Sequence, residues 1–161
     1  MDERRVHWEQ VYQAKGDLQT SWFQELPATS LQLASQHAPS AHTAIDIGGG
    51  TSRLVDNLLA KEFAHVAVLD LSQTALSRAR ERVQNDDRVD WIVADAATFQ
   101  PTRTYDLWHD RAALHFLVDE EDRRNYADAL VKGTQPGSIA IVGTFALKEM
   151  QWLAGPSLRA F

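Results

Sequence analysis

The sequence predicts an α/β domain built on a parallel, doubly wound sheet. Three observations carry that expectation. Short, nearly continuous apolar runs read as strands covered on both faces. Single helical patterns alternate with them, the arrangement that lets successive strands lie parallel. The segment Ala44-Ile45-Asp46-Ile47-Gly48-Gly49-Gly50-Thr51-Ser52 joins a β-branched run to a helical pattern through three consecutive glycines.

Residues 2–38 carry helical spacing through Val6, Trp8, Val11 and Tyr12, then Leu31, Leu33 and Ala34, with breaks near Gly16 and Pro27. Thr43–Ile47 reads as the first strand. Ser52–Ala60 reads as a helix burying Leu54, Val55, Leu58 and Leu59. Val66–Asp70 is the second strand, and Ser72 caps a helix running to about Val83. Arg88–Ala94 and Tyr105–Asp110 are the third and fourth strands. A helix over Glu120–Lys132 is stopped by Gly133 and Pro136-Gly137, and Ser138–Thr144 is the fifth strand. The expected organisation is one domain: a helical cap at 1–41, a core at 42–145 and a tail at 146–161.

Composition narrows the function. A chain of 161 residues is long enough for one sizeable core, and its formal charge of −6 argues against a broad nucleic-acid footprint. No apolar run approaches a membrane span, and the polar start Met1-Asp2-Glu3-Arg4-Arg5 does not read as a signal peptide. The absence of cysteine excludes disulfides, thiolate metal sites and a cysteine nucleophile. A cytoplasmic protein is expected. His7, His37, His42 and His65 show no ligand spacing, so no metal site is expected.

Four strands end in aspartate: Asp46, Asp70, Asp95 and Asp110. Ligands of parallel sheets bind at strand C-terminal ends, so Asp70 there suits both hydroxyls of a ribose and Asp95 an adenine amino group. Asp46 either receives a cationic amine or caps the next helix. The glycines let the chain turn sharply and leave backbone bare for a ligand. A dinucleotide site needs a third glycine where Arg53 stands, and Asp46 would repel a pyrophosphate; no Gly-Lys-Ser/Thr follows for a P-loop. A ligand with one adenosine, no phosphate and a positive charge fits: S-adenosyl-L-methionine.

Asp46-Ile47-Gly48-Gly49-Gly50-Thr51, Asp70 and Ala94-Asp95-Ala96 resemble the motifs of class I S-adenosylmethionine-dependent methyltransferases, with Ser52 where a further glycine is common. His7-Trp8-Glu9-Gln10-Val11-Tyr12, Ser21-Trp22-Phe23-Gln24, Asp106-Leu107-Trp108-His109-Asp110-Arg111-Ala112 and His115-Phe116-Leu117 extend the likeness. They are similar to a bacterial subgroup near the branch of protein-lysine methyltransferases acting on elongation factors and mitochondrial enzymes. The resemblance implies a Rossmann-like sheet of order 3-2-1-4-5. It implies that Asp46, Gly48, Gly49, Gly50 and Thr51 hold the methionine part, Asp70 the ribose, Leu71 the adenine face, and Asp95 and Ala96 its flanks. Asp110 would lie beside the methyl group. Trp22 and Phe23 either close over the cofactor, gaining by cation–π attraction, or staple an N-terminal helix.

Methyl transfer from a sulfonium asks chiefly for positioning and desolvation, and an amine acceptor must arrive neutral. Asp110 and His115 are the catalytic candidates. His109, inside an apolar strand, reads first as a satisfied core histidine and second as a group behind them. Arg78, Arg80 and Arg82 read as a solvated face. The family continues past the fifth strand with terminal strands 6 and 7, which Ala146–Phe161 cannot supply. The expectation is a shortened chain whose fifth strand is an edge, covered by the tail or by a second copy in a homodimer. A shortened, catalytically silent cofactor-binding or dimerising domain is the alternative to an active enzyme acting on an unknown acceptor, guessed to be a protein lysine or a small amine.

Overall fold

Five short strands pair side by side in the order β3-β2-β1-β4-β5, every neighbouring pair parallel. They are β1 (Thr43–Ile47), β2 (His65–Asp70), β3 (Val89–Val93), β4 (Leu107–Arg111) and β5 (Ile139–Gly143). The helices are α1 (Glu3–Ala14), α2 (Ala28–His37), α3 (Leu54–Ala60), α4 (Gln73–Arg82) and α5 (Glu120–Lys132), with a 3₁₀ turn at Leu114–Phe116. This computed structural model describes residues 3–16, 19–20, 22–111 and 113–144. The predicted order and the doubly wound, Rossmann-like architecture are those observed. The expected tail at 146–161 lies outside the described residues.

The two-residue period of a strand sorts the core into two layers. On one face Ala44, Val66, Val68 and Leu107 pack with Leu54, Val55 and Leu58 of α3, Ala34 of α2 and Leu76 of α4. On the other, Ile45, Ile47, Ala67, Leu69 and Trp108 pack with Tyr126 and Ala129 of α5. The same parity decides where the polar strand residues go. Asp46 and His109 fall on the α2 face, while Asp110 falls on the α5 face.

The order of strands reverses between β1 and β4, which opens a crevice above their C-terminal ends. Asp106 ties the far ends of these strands together, accepting from the backbone N–H groups of His42 and Thr43 at 2.9 and 3.0 Å. Those bonds outweigh the effect of burial and hold its carboxyl below the ordinary range. β5 alternates half-buried and exposed residues, with Ile139 and Ile141 packed against the α2-face core and Val142 38% exposed.

Arg82 departs from the solvated face expected of it. Its guanidinium donates to the carbonyls of Thr51 (3.2 Å) and Ser52 (2.7 Å) and pairs with Asp56, at 2.8 Å from Nη2. The arginine thus fastens the glycine loop to α4. Ser52 Oγ accepts from Leu54 N, so helix α3 starts two residues later than its sequence pattern suggests.

Candidate active site

Two clefts meet above the switch point. The larger is walled by Asp70, Leu71, Asp95 and Ala96 from the strand ends and roofed by Arg4, Trp8 and Tyr12 of α1. The smaller is lined by Asp46, Gly49, Thr51, Ser52 and His109, with Phe23 and Gln24 at its mouth. Tyr12, Trp22, Gly48 and Arg111 line both, so they stand at the junction.

The floor of the junction is bare backbone, and it has no room to be otherwise. Gly48 and Gly50 have φ of +67° and +48°. A Cβ on Gly48 would sit 2.8 Å from the Ala113 Cβ; one on Gly50 would sit 2.5 Å from the Tyr12 hydroxyl and 3.1 Å from Asp70 Oδ2. Gly49 N donates to Leu69 O at 3.0 Å, drawing the loop over the end of β2. One on Gly49 would meet Asp46 Oδ2 at 2.8 Å, so this oxygen lies directly under the loop.

Asp70 is buried, its Oδ1 accepting from Ser72 N at 2.8 Å. Burial pushes its pKa up to about 7, with a smaller push from the Asp46 charge, against the pull of the Ser72, Gly50 and Leu71 N–H groups. Asp95 accepts from Ala97 N at 2.8 Å through Oδ1 and pairs through Oδ2 with Arg4 at 3.1 Å. Arg4 also reaches Asp122 at the start of α5, 2.9 Å away.

The α1 roof has a second fastening. Glu9 accepts from the Ser72 hydroxyl at 2.8 Å and from the Thr74 hydroxyl at the N-terminus of α4. Burial would raise its pKa, but the bonds from Thr74, Ser72 and Gln13 prevail and lower it. Trp8 meets Trp22 and Phe116 edge to face, with ring centroids 5.7 and 5.0 Å apart, which makes an aromatic wall across the larger cleft. Trp22 also accepts at its carbonyl from Arg111 Nη2 at 2.7 Å.

Asp110, expected beside the methyl group, sits at the end of β4 next to these clefts. It lines neither cleft and is wholly buried under the 3₁₀ turn. Its oxygens accept from Ala113 N (2.7 Å), Leu114 N (3.0 Å) and the Tyr126 hydroxyl (2.6 Å). Burial raises its pKa despite those bonds. The carboxylate thereby holds the turn that starts at Ala113. His115 is half-buried, lines neither cleft, and lies edge-on to Phe116 at 5.4 Å. Ala112 lies outside the described residues. His109 is satisfied at both ring nitrogens, by Asp46 and by Ser30 of α2.

Tyr12, Arg4 and Arg111 were not among the sequence candidates. For Tyr12 the signal was present but ambiguous, because it sits on the apolar stripe of α1. Arg111 directly follows Asp110, and only the length of β4 brings it to the cleft. Arg4 carries no pattern of its own. Among the described residues no group of acids and histidines is placed to hold a metal ion, and no helix is long and apolar enough to cross a membrane.

A family model described as a methyltransferase domain matches residues 44–137. The chain is 21% identical over 146 residues to malonyl-[acyl-carrier protein] O-methyltransferase 2 of Ilyobacter polytropus, covering 90% of this chain and 55% of that protein. It is 26% identical over 121 residues to nodulation protein S of Sinorhizobium fredii, covering 75% and 55%. It therefore spans about half the length of these relatives. Among solved structures, the N-methyltransferase NodS from Bradyrhizobium japonicum WM9 in complex with S-adenosyl-L-homocysteine superposes with a TM-score of 0.71 at 22% identity, covering 86% of this chain and 71% of that one.

Proposed function

The chain belongs to the methyltransferase-domain family, and from that premise we propose that it binds S-adenosylmethionine across the joined clefts and transfers its methyl group to an amine. The observation that carries the reading is the junction. Two acids at the ends of β1 and β2 stand on either side of glycine backbone with no space for a side chain. An elongated ligand with a hydroxylated sugar at one end and an ammonium at the other matches that donor set.

The cofactor supplies an electrophilic methyl group on a sulfonium, an already activated leaving group. In this reading Asp70 accepts from the ribose hydroxyls, Leu71 and Ala96 sandwich the adenine, and Asp95 takes its amino group, sharing its carboxylate with Arg4. Asp46, Gly48, Gly49, Gly50 and Thr51 hold the amino-acid end. Trp22 and Tyr12 exclude water at the junction and present aromatic surface to positive charge. Asp110 fixes the turn carrying Ala113 and Phe116. His115 remains the candidate that orients or deprotonates the acceptor, entering past Phe116.

The amine acceptor rests on the likeness of 106–117 to the protein-lysine methyltransferase branch. A protein lysine and a small amine are both within that chemistry. A cytoplasmic setting, and pairing of two copies along the β5 edge where Val142 is exposed, complete the proposal.

Calorimetric titration with S-adenosylmethionine and S-adenosylhomocysteine tests the first half, with Asp70→Ala as the weakened control. Transfer of labelled methyl to peptide and small-molecule amines tests the second. His115→Ala should lower kcat about 100-fold with cofactor affinity unchanged. Cofactor binding with no transfer to any amine would favour a binding domain without catalysis. No binding by folded protein would overturn the reading.

A further inference from the structure

β4 ends on an arginine to which cofactor binding gives no task. Arg111 is partly buried and lines both clefts where they meet. Its stem runs past Gly143, its register partner on β5, where an added Cβ would lie 3.7 Å from Arg111 Cγ. A guanidinium carries N–H donors along the edges of a planar fork, a shape that takes a carboxylate by two bonds at once. One donor, on Nη2, is engaged by the Trp22 carbonyl at 2.7 Å; among the described residues no carboxylate pairs with Arg111 and no second acceptor meets it. The other arginines around the clefts and the glycine loop, Arg4, Arg53 and Arg82, each pair with an aspartate. The acids nearest Arg111 are turned elsewhere: Asp46 to His109, Asp70 to Ser72 and Asp110 to Tyr126.

We propose that Arg111 holds a carboxylate of the methyl acceptor, so that the acceptor is an amine carrying its own acid group, such as a free amino acid. This rests on the methyltransferase reading and deepens it, choosing the small amine over the protein lysine. With the sugar in the larger cleft and the amino-acid end of the cofactor in the smaller, the methyl group lies at the junction, which Arg111 lines. The cofactor's own carboxylate then lies with its amino-acid end, over the glycine loop and Thr51. A guanidinium beside a sulfonium sets two positive charges close together, and an anion on the guanidinium offsets their repulsion. An acceptor carboxylate brings that anion only when the acceptor is in place. The fork also fixes the orientation of a short molecule, so that an amine a few bonds from its anchored acid is held toward the methyl group.

The test uses acetate as the minimal carboxylate and acetamide as its neutral counterpart, each titrated at constant ionic strength into the full chain saturated with S-adenosylhomocysteine. The readouts are two NMR signals: the Arg111 Nε–H, identified by its loss in Arg111→Gln, and the Trp22 indole N–H, identified by its loss in Trp22→Phe. Acetate should shift both saturably, half-way at about 10–100 mM, and acetamide should shift neither. In Arg111→Gln, whose amide can still donate to the Trp22 carbonyl, acetate should leave the Trp22 signal where it is. A second series replaces S-adenosylhomocysteine with 5′-methylthioadenosine, which has the adenosine and sulfur but no amino-acid end. An acetate shift seen with 5′-methylthioadenosine and absent with S-adenosylhomocysteine assigns the arginine to the cofactor's own carboxylate and overturns the proposal. So does the absence of a saturable shift in both complexes, an equal response to acetamide, or a Trp22 shift that persists in Arg111→Gln. Failure of the native protein to bind either nucleoside in calorimetry overturns the methyltransferase reading itself, and is seen before any acetate is added.

Discussion

Replacing Asp70 with asparagine should make the cofactor-free protein more stable at alkaline pH while abolishing its function. The native carboxyl titrates near 7 because burial and the Asp46 charge disfavour its ionised form, whereas its ordinary value is 3.8. Between those two pH values the folded chain holds a proton that the unfolded chain has released. Stability therefore falls as pH rises through this window, and the loss is complete above it. At about 1.36 kcal/mol per pH unit, the full penalty is at most about 4 kcal/mol. Asp70→Asn removes that pH-dependent part. Urea unfolding at pH 5 and pH 8 isolates it, because any fixed cost of rearranging the bonds to Ser72, Gly50 and Leu71 appears equally at both. The variant should gain about 2.6 kcal/mol on the native protein between pH 5 and pH 8, the part of the window above pH 5. Native binding of S-adenosylhomocysteine should strengthen about tenfold per pH unit up to 7 and then level off, since the ribose hydroxyls need a carboxylate. Parallel stability curves for the two proteins across this range would refute the argument.

Other perturbations follow from single contacts. Gly48→Ala, with φ of +67° and a Cβ 2.8 Å from that of Ala113, should cost about 1–3 kcal/mol in denaturant unfolding and weaken cofactor binding by displacing the turn. Arg82→Ala leaves the carbonyls of Thr51 and Ser52 without their donor; thermal unfolding should show a loss of about 1–3 kcal/mol, and cofactor binding should weaken with it. Tyr126→Phe removes the hydroxyl that donates to Asp110 and accepts from Trp108 Nε1 at 3.1 Å, and should lower stability by about 1–3 kcal/mol without altering the clefts. Sedimentation should find a dimer that Val142→Lys disperses; a monomer at every concentration would remove the β5 edge from consideration.

The sheet was legible because its apolar runs are short, separated and bounded by glycine, proline or capping residues. α5 matches its predicted span from Glu120 to Lys132, where an acidic first turn and a glycine just past the end mark both limits. Asp46, Asp70 and Asp95 line the clefts because each sits at or just past a strand end. Asp110 does not, for a reason the apolar pattern cannot display. β4 runs one residue beyond its apolar stretch, to Arg111. A step of one residue exchanges the two faces of a strand. Asp110 shares the parity of Trp108 and turns inward to Tyr126, while Arg111 shares that of His109 and lines the junction. Arg82 was misjudged because its partners are main-chain carbonyls in a loop, and carbonyls leave no trace in sequence. Ser30 was invisible for a similar reason, since its meeting with His109 depends on how α2 crosses the sheet.

The fastening of α1 has a consequence for how the chain acquires its cleft during synthesis. Glu9 finds Ser72 63 positions later, and Arg4 waits for Asp95 and Asp122. α1, made before the other described helices, is thus among the last of them to find its place. Until α4 and the start of α5 have emerged, the nascent chain exposes Trp8 and Tyr12 with no surface to cover. Contacts of such long sequence separation are slow to form. The aromatic roof of the cleft therefore stays open to chaperones until those later contacts form.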